Sequence, residues 1–374
     1  MRILYGVVGE GMGHATRSAV ILHHLLNRGH EVRVVVSGRA HAFLSDKLQS
    51  DERVTIEEIH GLTLRYFGNQ LRRSASLYRN LVGAPKGIQK NIKVYRKVAE
   101  DGFKPQLVIS DFESWAALYG LNHRIPVVSI DNMQIINRCR HDKSITKGFD
   151  FRLARGAVKM KVPGAYHYLI SSFFFPPVRK KRTTLVPPIL RPEIIEAKRQ
   201  PGDHVLVYLR AVPSKKLASI LKKLPHSFHV YGLQDGVSEG NIEHRPFSEM
   251  GFLDDLRTAR AVIAGGGFSL MSEAVSLHVP LLSIPIEHQF EQEVNARYLE
   301  QLGYGVCSRA LDTDVVEGFL ARTNEFAQAL AGYERRDNTM VFACVDEIID
   351  TCSSHGKRLK RLKTPAMGAW NDEG

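Results

Sequence analysis

Residues 261–305 read AVIAGGGFSLMSEAVSLHVPLLSIPIEHQFEQEVNARYLEQLGYG, and this stretch decides the fold. Ala261 to Ala264 is a short apolar run that stops at three glycines, Gly265, Gly266 and Gly267. A helix-periodic segment, Phe268 to Leu277, comes next, then a second apolar run, Leu281 to Ile284, and another helical segment, Glu291 to Leu302. Strand, glycine turn, helix, strand and helix in succession form the repeating unit of a parallel sheet, because parallel neighbours need a crossover between them.

The same alternation extends upstream. His204 to Leu209 and Phe228 to Tyr231 read as strands, and Ser214 to Lys223 and Ser248 to Thr258 as helices. A separate series opens the chain: strand Arg2 to Val8, the glycine loop Gly9-Glu10-Gly11-Met12-Gly13-His14, then a helix through Ala19, Leu22, Leu25 and Leu26 that stops at Gly29. Strands Glu31 to Val36, Val54 to Ile59, Leu107 to Ser110 and Val127 to Ile130 follow. Lys86 to Asp101 is expected to be a helix that buries Ile88, Ile92, Tyr95 and Ala99. Phe173 to Pro192, rich in proline and basic residues, is the expected junction. The expected fold class is therefore α/β, with Rossmann-like domains at 1–185 and 186–350 facing each other across a cleft, and a basic tail at 351–374.

Composition narrows the function. The 374 residues carry a formal charge of +12, unevenly spread. No acidic residue lies between Glu58 and Glu100, but nine basic ones do, Arg72, Arg73, Arg79, Lys86, Lys90 and Lys93 among them. Such a field attracts polyanions: anionic lipid, phosphorylated acceptors or nucleic acid. Cys139, Cys307, Cys344 and Cys352 have neither metal-site spacing nor the density of a disulfide scaffold, so reduced thiols in a cytoplasmic protein are expected. No export signal and no membrane span is read from the chain.

Chemistry concentrates in three places. His14 stands at a helix mouth behind Gly11 and Gly13, where an imidazole can accept a proton from a hydroxyl; a capping or packed histidine is the competing reading. Asp111 closes the strand Leu107 to Ser110, either to orient His14 or to cap the next helix. Gly265, Gly266 and Gly267, followed by Phe268 and Ser269, set unhindered amides and a helix dipole where a diphosphate can be held. Glu273 lies two turns further, and Gln289, Glu291 and Gln292 follow the second strand, placed to hold ribose and sugar hydroxyls.

These residues resemble the UDP-glycosyltransferase superfamily and its MurG-like members. Gly267, Glu273, Pro280, Pro285, Gln292 and Asn295-Ala296 match the family's signature in order and spacing, Gly13-His14 looks like its amino-terminal loop, and Val108 to Ala117 looks like the segment whose aspartate partners the catalytic histidine. The resemblance implies the GT-B architecture, with acceptor bound by the first domain and nucleotide sugar by the second. It implies that Glu273 binds ribose, Glu291 and Gln292 the transferred sugar, Gly266 to Ser269 the diphosphate, and that Phe247 lies beside the base. Where relatives place a cation near the diphosphate this chain has Gly265, and Arg210 is expected to supply the charge.

The expected activity is inverting, metal-independent transfer from a nucleoside diphosphate sugar, UDP-linked, with no further cofactor. The acceptor is expected to be lipid-linked or associated with an anionic membrane surface. Gly11-x-Gly13-His14-x-x-Arg17 also looks like nucleotide-sugar hydrolases on the same scaffold, with water as acceptor. A basic nucleic-acid-binding protein is the non-enzyme alternative.

Overall fold

The computed structural model describes residues 1–9, 11–61, 66–67, 70–71, 73–147, 151–209, 212–232, 238–246, 248–287 and 289–353, with the side chains of residues 66–84 outside that description. The strands are β1 (Arg2–Val7), β2 (Glu31–Val36), β3 (Val54–Glu58), β4 (Tyr66–Phe67), β5 (Gln70–Leu71), β6 (Leu107–Asp111), β7 (Val127–Asp131), β8 (His167–Ser171) and β9 (Thr183–Val186) in the first half. The second half holds β10 (Val205–Tyr208), β11 (Phe228–Tyr231), β12 (Ile242–His244), β13 (Ala261–Ala264), β14 (Leu281–Ser283) and β15 (Gly305–Cys307).

Two parallel sheets result, ordered β3-β2-β1-β6-β7-β8-β9 and β12-β11-β10-β13-β14-β15, with β4 and β5 as a separate antiparallel pair. Helices cover both faces of each sheet, which is why β6, β7 and β13 are buried along their whole length rather than at alternate residues. In the first sheet the order reverses between β1 and β6, and in the second between β10 and β13. Crevices open at the carboxyl ends of the strands at such reversals. His14 and Asp111 flank the first crevice, and Gly265 to Gly267 the second.

Several expectations need correction. Thr183–Val186, read from sequence as part of the junction, is the edge strand of the first sheet, paired with β8 from Tyr168–Thr183 to Ser171–Val186. Four residues between a basic run and two prolines carry too little periodicity to announce a strand. Helix Thr339–Ser353 returns to the first sheet, where Val341, Cys344, Val345, Ile348 and Ile349 share a core with Ile3, Leu107 and Val128. The helix expected at Lys86 to Asp101 spans Arg73–Glu100 and turns a different face inward: Gly87, Val94 and Val98 are buried, while Ile88 and Ile92 are exposed. Its inner face is partly polar, because Asn91 is bonded to both backbone groups of His60, accepting from the N–H at 2.7 Å and donating to the carbonyl at 3.1 Å.

The halves are packed together. The Phe174 ring stacks on Tyr298 at 4.0 Å, Arg297 donates to the Ile145 carbonyl at 2.7 Å, and Lys47 pairs with Glu249 at 2.9 Å.

Candidate active site

Helix Met12–Asn27 starts from Gly11, whose φ of 94° is a conformation that side chains resist. Gly13 is there for a different reason: a Cβ on it would lie 2.3 Å from Ser269 Oγ of the second half. The absence of that one carbon lets the start of helix Met12–Asn27 touch the start of helix Phe268–Ser276.

His14 stands on the first turn, and its Nδ1 lies 2.8 Å from Asp111 Oδ1. Asp111 does not cap the next helix; Glu113 does, accepting from Ala116 N at 2.7 Å. The Asp111 carboxylate instead accepts from Arg17 Nε at 2.8 Å, from Arg17 Nη2 and from Ser18 Oγ at 2.9 Å. Burial alone would raise its pKa, yet the charges of Arg17 and His14 hold it down to about 2. Arg17 is buried too; burial opposes its charge, but Asp111 outweighs that and its pKa is raised.

Arg17 was not singled out as a partner of Asp111, although the signal was present: it lies one helical turn after His14, on the same face. Its Nη2 sits 2.6 Å from His14 Nδ1, and its Nη1 donates to Asn132 Oδ1. Nδ1 therefore faces an acceptor and a donor at once. With the proton on Nδ1, bonded to Asp111, Nε2 is free to accept another; among the described residues nothing is hydrogen-bonded to Nε2. Asp131, which ends β7, is buried, and burial together with Asp111 pushes it up to about 6, against the hydrogen bonds from Ser129 and Gln134 N.

Across the crevice, the glycine run is not uniformly open. Gly266 lies against helix Phe290–Gln301, where a Cβ would meet the Gln292 carbonyl oxygen at 2.4 Å, and its N–H donates to Gln292 Oε1 at 3.2 Å. Gly265 is 3.5 Å from the same Oε1 by its Cβ position, while Gly267 faces open space and begins the helix. Phe268 is buried against Phe173, so only its backbone can serve a ligand, whereas Ser269 is half-exposed.

The expected sugar-holding side chains are already engaged within the protein. Gln292 Oε1 also accepts from Ile286 N at 3.0 Å, and its Nε2 donates to Gln289. Glu273 is buried and clasped by Arg191, Nε to Oε1 at 2.8 Å and Nη2 to Oε2 at 3.0 Å. Burial raises the Glu273 pKa even so. Arg191 was missed because it stands in the linker, far from its partner in sequence. Glu291 Oε1 accepts from Asn132 Nδ2 at 2.6 Å and from Asn295 Nδ2 at 3.4 Å.

Arg210, Phe247 and Arg72 lie outside the described residues, as do the side chains of Arg73 and Arg79. Lys86 and Lys93 are exposed, and Lys90 pairs with Glu58. Elsewhere, His204, His229 and Asp255 have ligand atoms within 4.8 Å of one another, a spacing that can hold a metal ion. The two imidazoles stack at 4.0 Å and Asp255 also takes the Tyr231 hydroxyl, so these groups have mutual partners, at the amino ends of β10 and β11 and away from the crevice. Asp312-Thr313-Asp314 is an Asp-x-Asp triplet, but Asp312 caps helix Thr313–Ala321. Among the described residues no helix is long and apolar enough to cross a membrane.

Residues 1–324 match the family model described as glycosyl transferase family 1. An uncharacterized glycosyltransferase of Methanosarcina acetivorans is 25% identical over 331 residues, covering 82% of this chain and 85% of that one. Among solved structures, the glycotransferase of kitacinnamycin superposes with a TM-score of 0.66 at 15% identity, covering 96% and 99% of the two chains. A UDP-glucosyltransferase of Polygonum tinctorium capable of glucosylating indoxyl gives 0.68 at 13%, covering 94% and 98%. These last two likenesses establish the GT-B fold, and the match over most of the sequence establishes the rest: the chain is a glycosyltransferase and belongs to glycosyl transferase family 1.

Proposed function

We propose that the enzyme transfers a sugar, with inversion, from a uridine diphosphate donor to a lipid-linked or membrane-associated hydroxyl. The observation that carries this reading is the His14–Asp111 pair, 2.8 Å apart, standing one residue from the place where Gly13 meets Ser269 of the facing half. The acceptor hydroxyl gives its proton to His14 Nε2, and Asp111 stabilises the imidazolium that forms. The hydroxyl oxygen attacks the anomeric carbon as the bond to the diphosphate breaks, and the departing charge is met by amides at the start of helix Phe268–Ser276. No metal ion and no further cofactor enter this scheme.

The membrane part rests on the helices over one face of the first sheet. Among the described residues, six of the eight large exposed hydrophobics stand on helices Arg73–Glu100, Ser114–Asn122 and Phe151–Lys161: Ile88, Ile92, Leu118, Leu121, Leu153 and Met160. Helices Arg73–Glu100 and Phe151–Lys161 also carry basic residues, and Glu100 is the one acidic residue exposed on the three helices. Apolar side chains among cations fit an anionic lipid surface.

A second reading, hydrolysis with water as acceptor, is favoured by Arg17. Its guanidinium is bonded to Asp111 beside His14, completing the Gly11-x-Gly13-His14-x-x-Arg17 pattern that resembles such hydrolases. The discriminating experiment incubates enzyme with UDP-sugars alone and then with membrane lipid extract. Consumption of the sugar nucleotide only with the extract supports transfer; equal consumption without it selects hydrolysis; no consumption and no UDP binding contradicts both.

A further inference from the structure

Beyond the edge strand β9, six cationic side chains gather with no ion-pair partner among the described residues: Arg138, Arg155, Lys159, Arg179, Lys180 and Arg182. They come from three pieces of chain, namely the last residue of helix Ile135–Arg138, the helix Phe151–Lys161 and the run that leads into β9. Buried Asn137 pins two of them. Its carbonyl accepts from Arg179 Nε at 3.2 Å and Nη2 at 3.0 Å, and its Oδ1 accepts from Lys180 Nζ at 2.6 Å. Arg138 is buried with its guanidinium 3.6 Å from the centre of the Tyr168 ring, donating to Thr183 Oγ1 and to the Lys181 carbonyl, each at 2.6 Å. Arg182 Nη1 is buried with no hydrogen-bond partner.

Burial opposes the charge on Arg138, and buried Asp131 favours it. Among the described residues none of the six is in an ion pair, and every charged neighbour that perturbs Lys180 is another cation. Burial first, and then Arg179, Arg138, Lys159 and Arg155, push Lys180 down to about 8. Burial and the charges of Arg155 and Arg140 lower Arg179 likewise. Surface lysines ordinarily avoid such crowding by swinging into solvent. Here hydrogen bonds to neutral oxygens hold Arg138, Arg179 and Lys180 in place, which is the preorganisation an anion site needs. A glycosyl transfer centred on His14 makes no use of this cluster: β9 lies three strands beyond β6, and residues 179–182 lead into its amino end, whereas the crevice lies at carboxyl ends.

We propose that this cluster is a binding site for a phosphoryl anion, separate from the cleft that holds the nucleotide sugar. The phosphoryl group belongs either to a soluble phosphate ester or to an anionic lipid headgroup. Leu153 and Met160, the latter 79% exposed, project from the same helix two turns apart and would enter the headgroup layer in the lipid case.

The test uses the full chain, the variant Lys180→Met, and the double variant Arg155→Ala with Lys159→Ala, which alters the helix surface and leaves Asn137 bonded. One arm compares melting temperature in inorganic phosphate or pyrophosphate with chloride at matched ionic strength. The other measures sedimentation with phosphatidylcholine vesicles with or without phosphatidylglycerol. A phosphate-specific rise in melting temperature that both variants reduce by more than half supports the site with a soluble source. Phosphatidylglycerol-dependent sedimentation lost in both variants supports it with a lipid source. Absence of both effects overturns the proposal, as do effects the variants leave intact, since those would arise at another site such as the glycine loop. UDP binding by the same variants reports on the cleft independently and is expected to be unchanged.

Discussion

The side-chain amide of Asn132 donates to Glu291 Oε1 at 2.6 Å, joining the residue after β7 in one half to the first turn of helix Phe290–Gln301 in the other. Its Oδ1 accepts from Arg17, which in turn holds Asp111. One asparagine thus links the base pair to the carboxylate proposed to hold the transferred sugar. The contact between the halves and the orientation of the proposed base, His14, thus share one hydrogen-bonded chain.

Asn132→Ala leaves both Arg17 and Glu291 short of a partner. Losing one member of a buried hydrogen bond to a charged group costs about 1–3 kcal/mol. If that loss falls on sugar-nucleotide binding, KM for it rises about tenfold or more with a smaller change in kcat. Asn132→Asp, which sets a carboxylate against Glu291, is expected to be worse than alanine. Steady-state kinetics on the two variants checks both statements, and an unchanged KM would mean that the bridge plays no part in the loaded enzyme.

Arg191→Ala strands a buried carboxylate. Removing one partner of a buried ion pair costs about 3–5 kcal/mol, because the other charge stays desolvated. Denaturant unfolding should report a loss of that order for Arg191→Ala. Adding Glu273→Gln should restore part of it, since the stranded charge is then gone. A single variant as stable as the parent would show that Glu273 reaches water by another route.

Asp131 and Asp111 predict opposite pH responses. Asp131 keeps its proton up to about 6 in the fold against 3.8 in the open chain, so the stability it adds is present below 3.8 and lost as pH rises through 6. Asp111 is held at about 2 against 3.8, so its contribution is present above 3.8 and lost as pH falls through 2. Asp131→Asn keeps the acceptor for Gln134 N and removes the charge beside Asp111. It should gain on the parent by about 2–3 kcal/mol on going from pH 4 to pH 7.5, the equivalent of roughly two tenfold steps. Urea unfolding at the two pH values measures it, and an equal difference at both would remove Asp131 as the cause.

The sheets were legible where the chain alternates cleanly. Glu31–Val36, Phe228–Tyr231 and Ala261–Ala264 are strands with the boundaries read from sequence, because each is a buried run ended by a glycine or by a polar residue. Short strands such as Ile242–His244 and Gly305–Cys307 went unread, since three residues cannot display a period. Helix Arg73–Glu100 misled for a specific reason. Ile88 and Ile92 have core-like spacing, yet the sheet-facing side is set by Gly87, which packs on His60, and by Asn91, whose partners are backbone groups distant in sequence. The site divides in the same way. His14, Asp111 and the glycine run could be found from strand ends and loop chemistry, but Arg191, Arg17 and Asn132 act through partners that only the fold brings near.

Metal removal offers another check. In the proposed scheme helix amides receive the departing diphosphate, so turnover should survive dialysis against EDTA within a factor of about two, far less than the ~10²–10³ that loss of a principal electrostatic stabiliser costs. Collapse in EDTA with recovery on adding magnesium would transfer that role to an ion.

The most direct measurement is turnover and UDP affinity of His14→Ala, side by side. Loss of a general base lowers kcat by about 10²–10⁴, while calorimetric affinity for UDP should stay within a few-fold, because the nucleotide is assigned to the facing half. If kcat is preserved, or if UDP binding falls in step with turnover, the assignment of His14 as the proton acceptor is wrong.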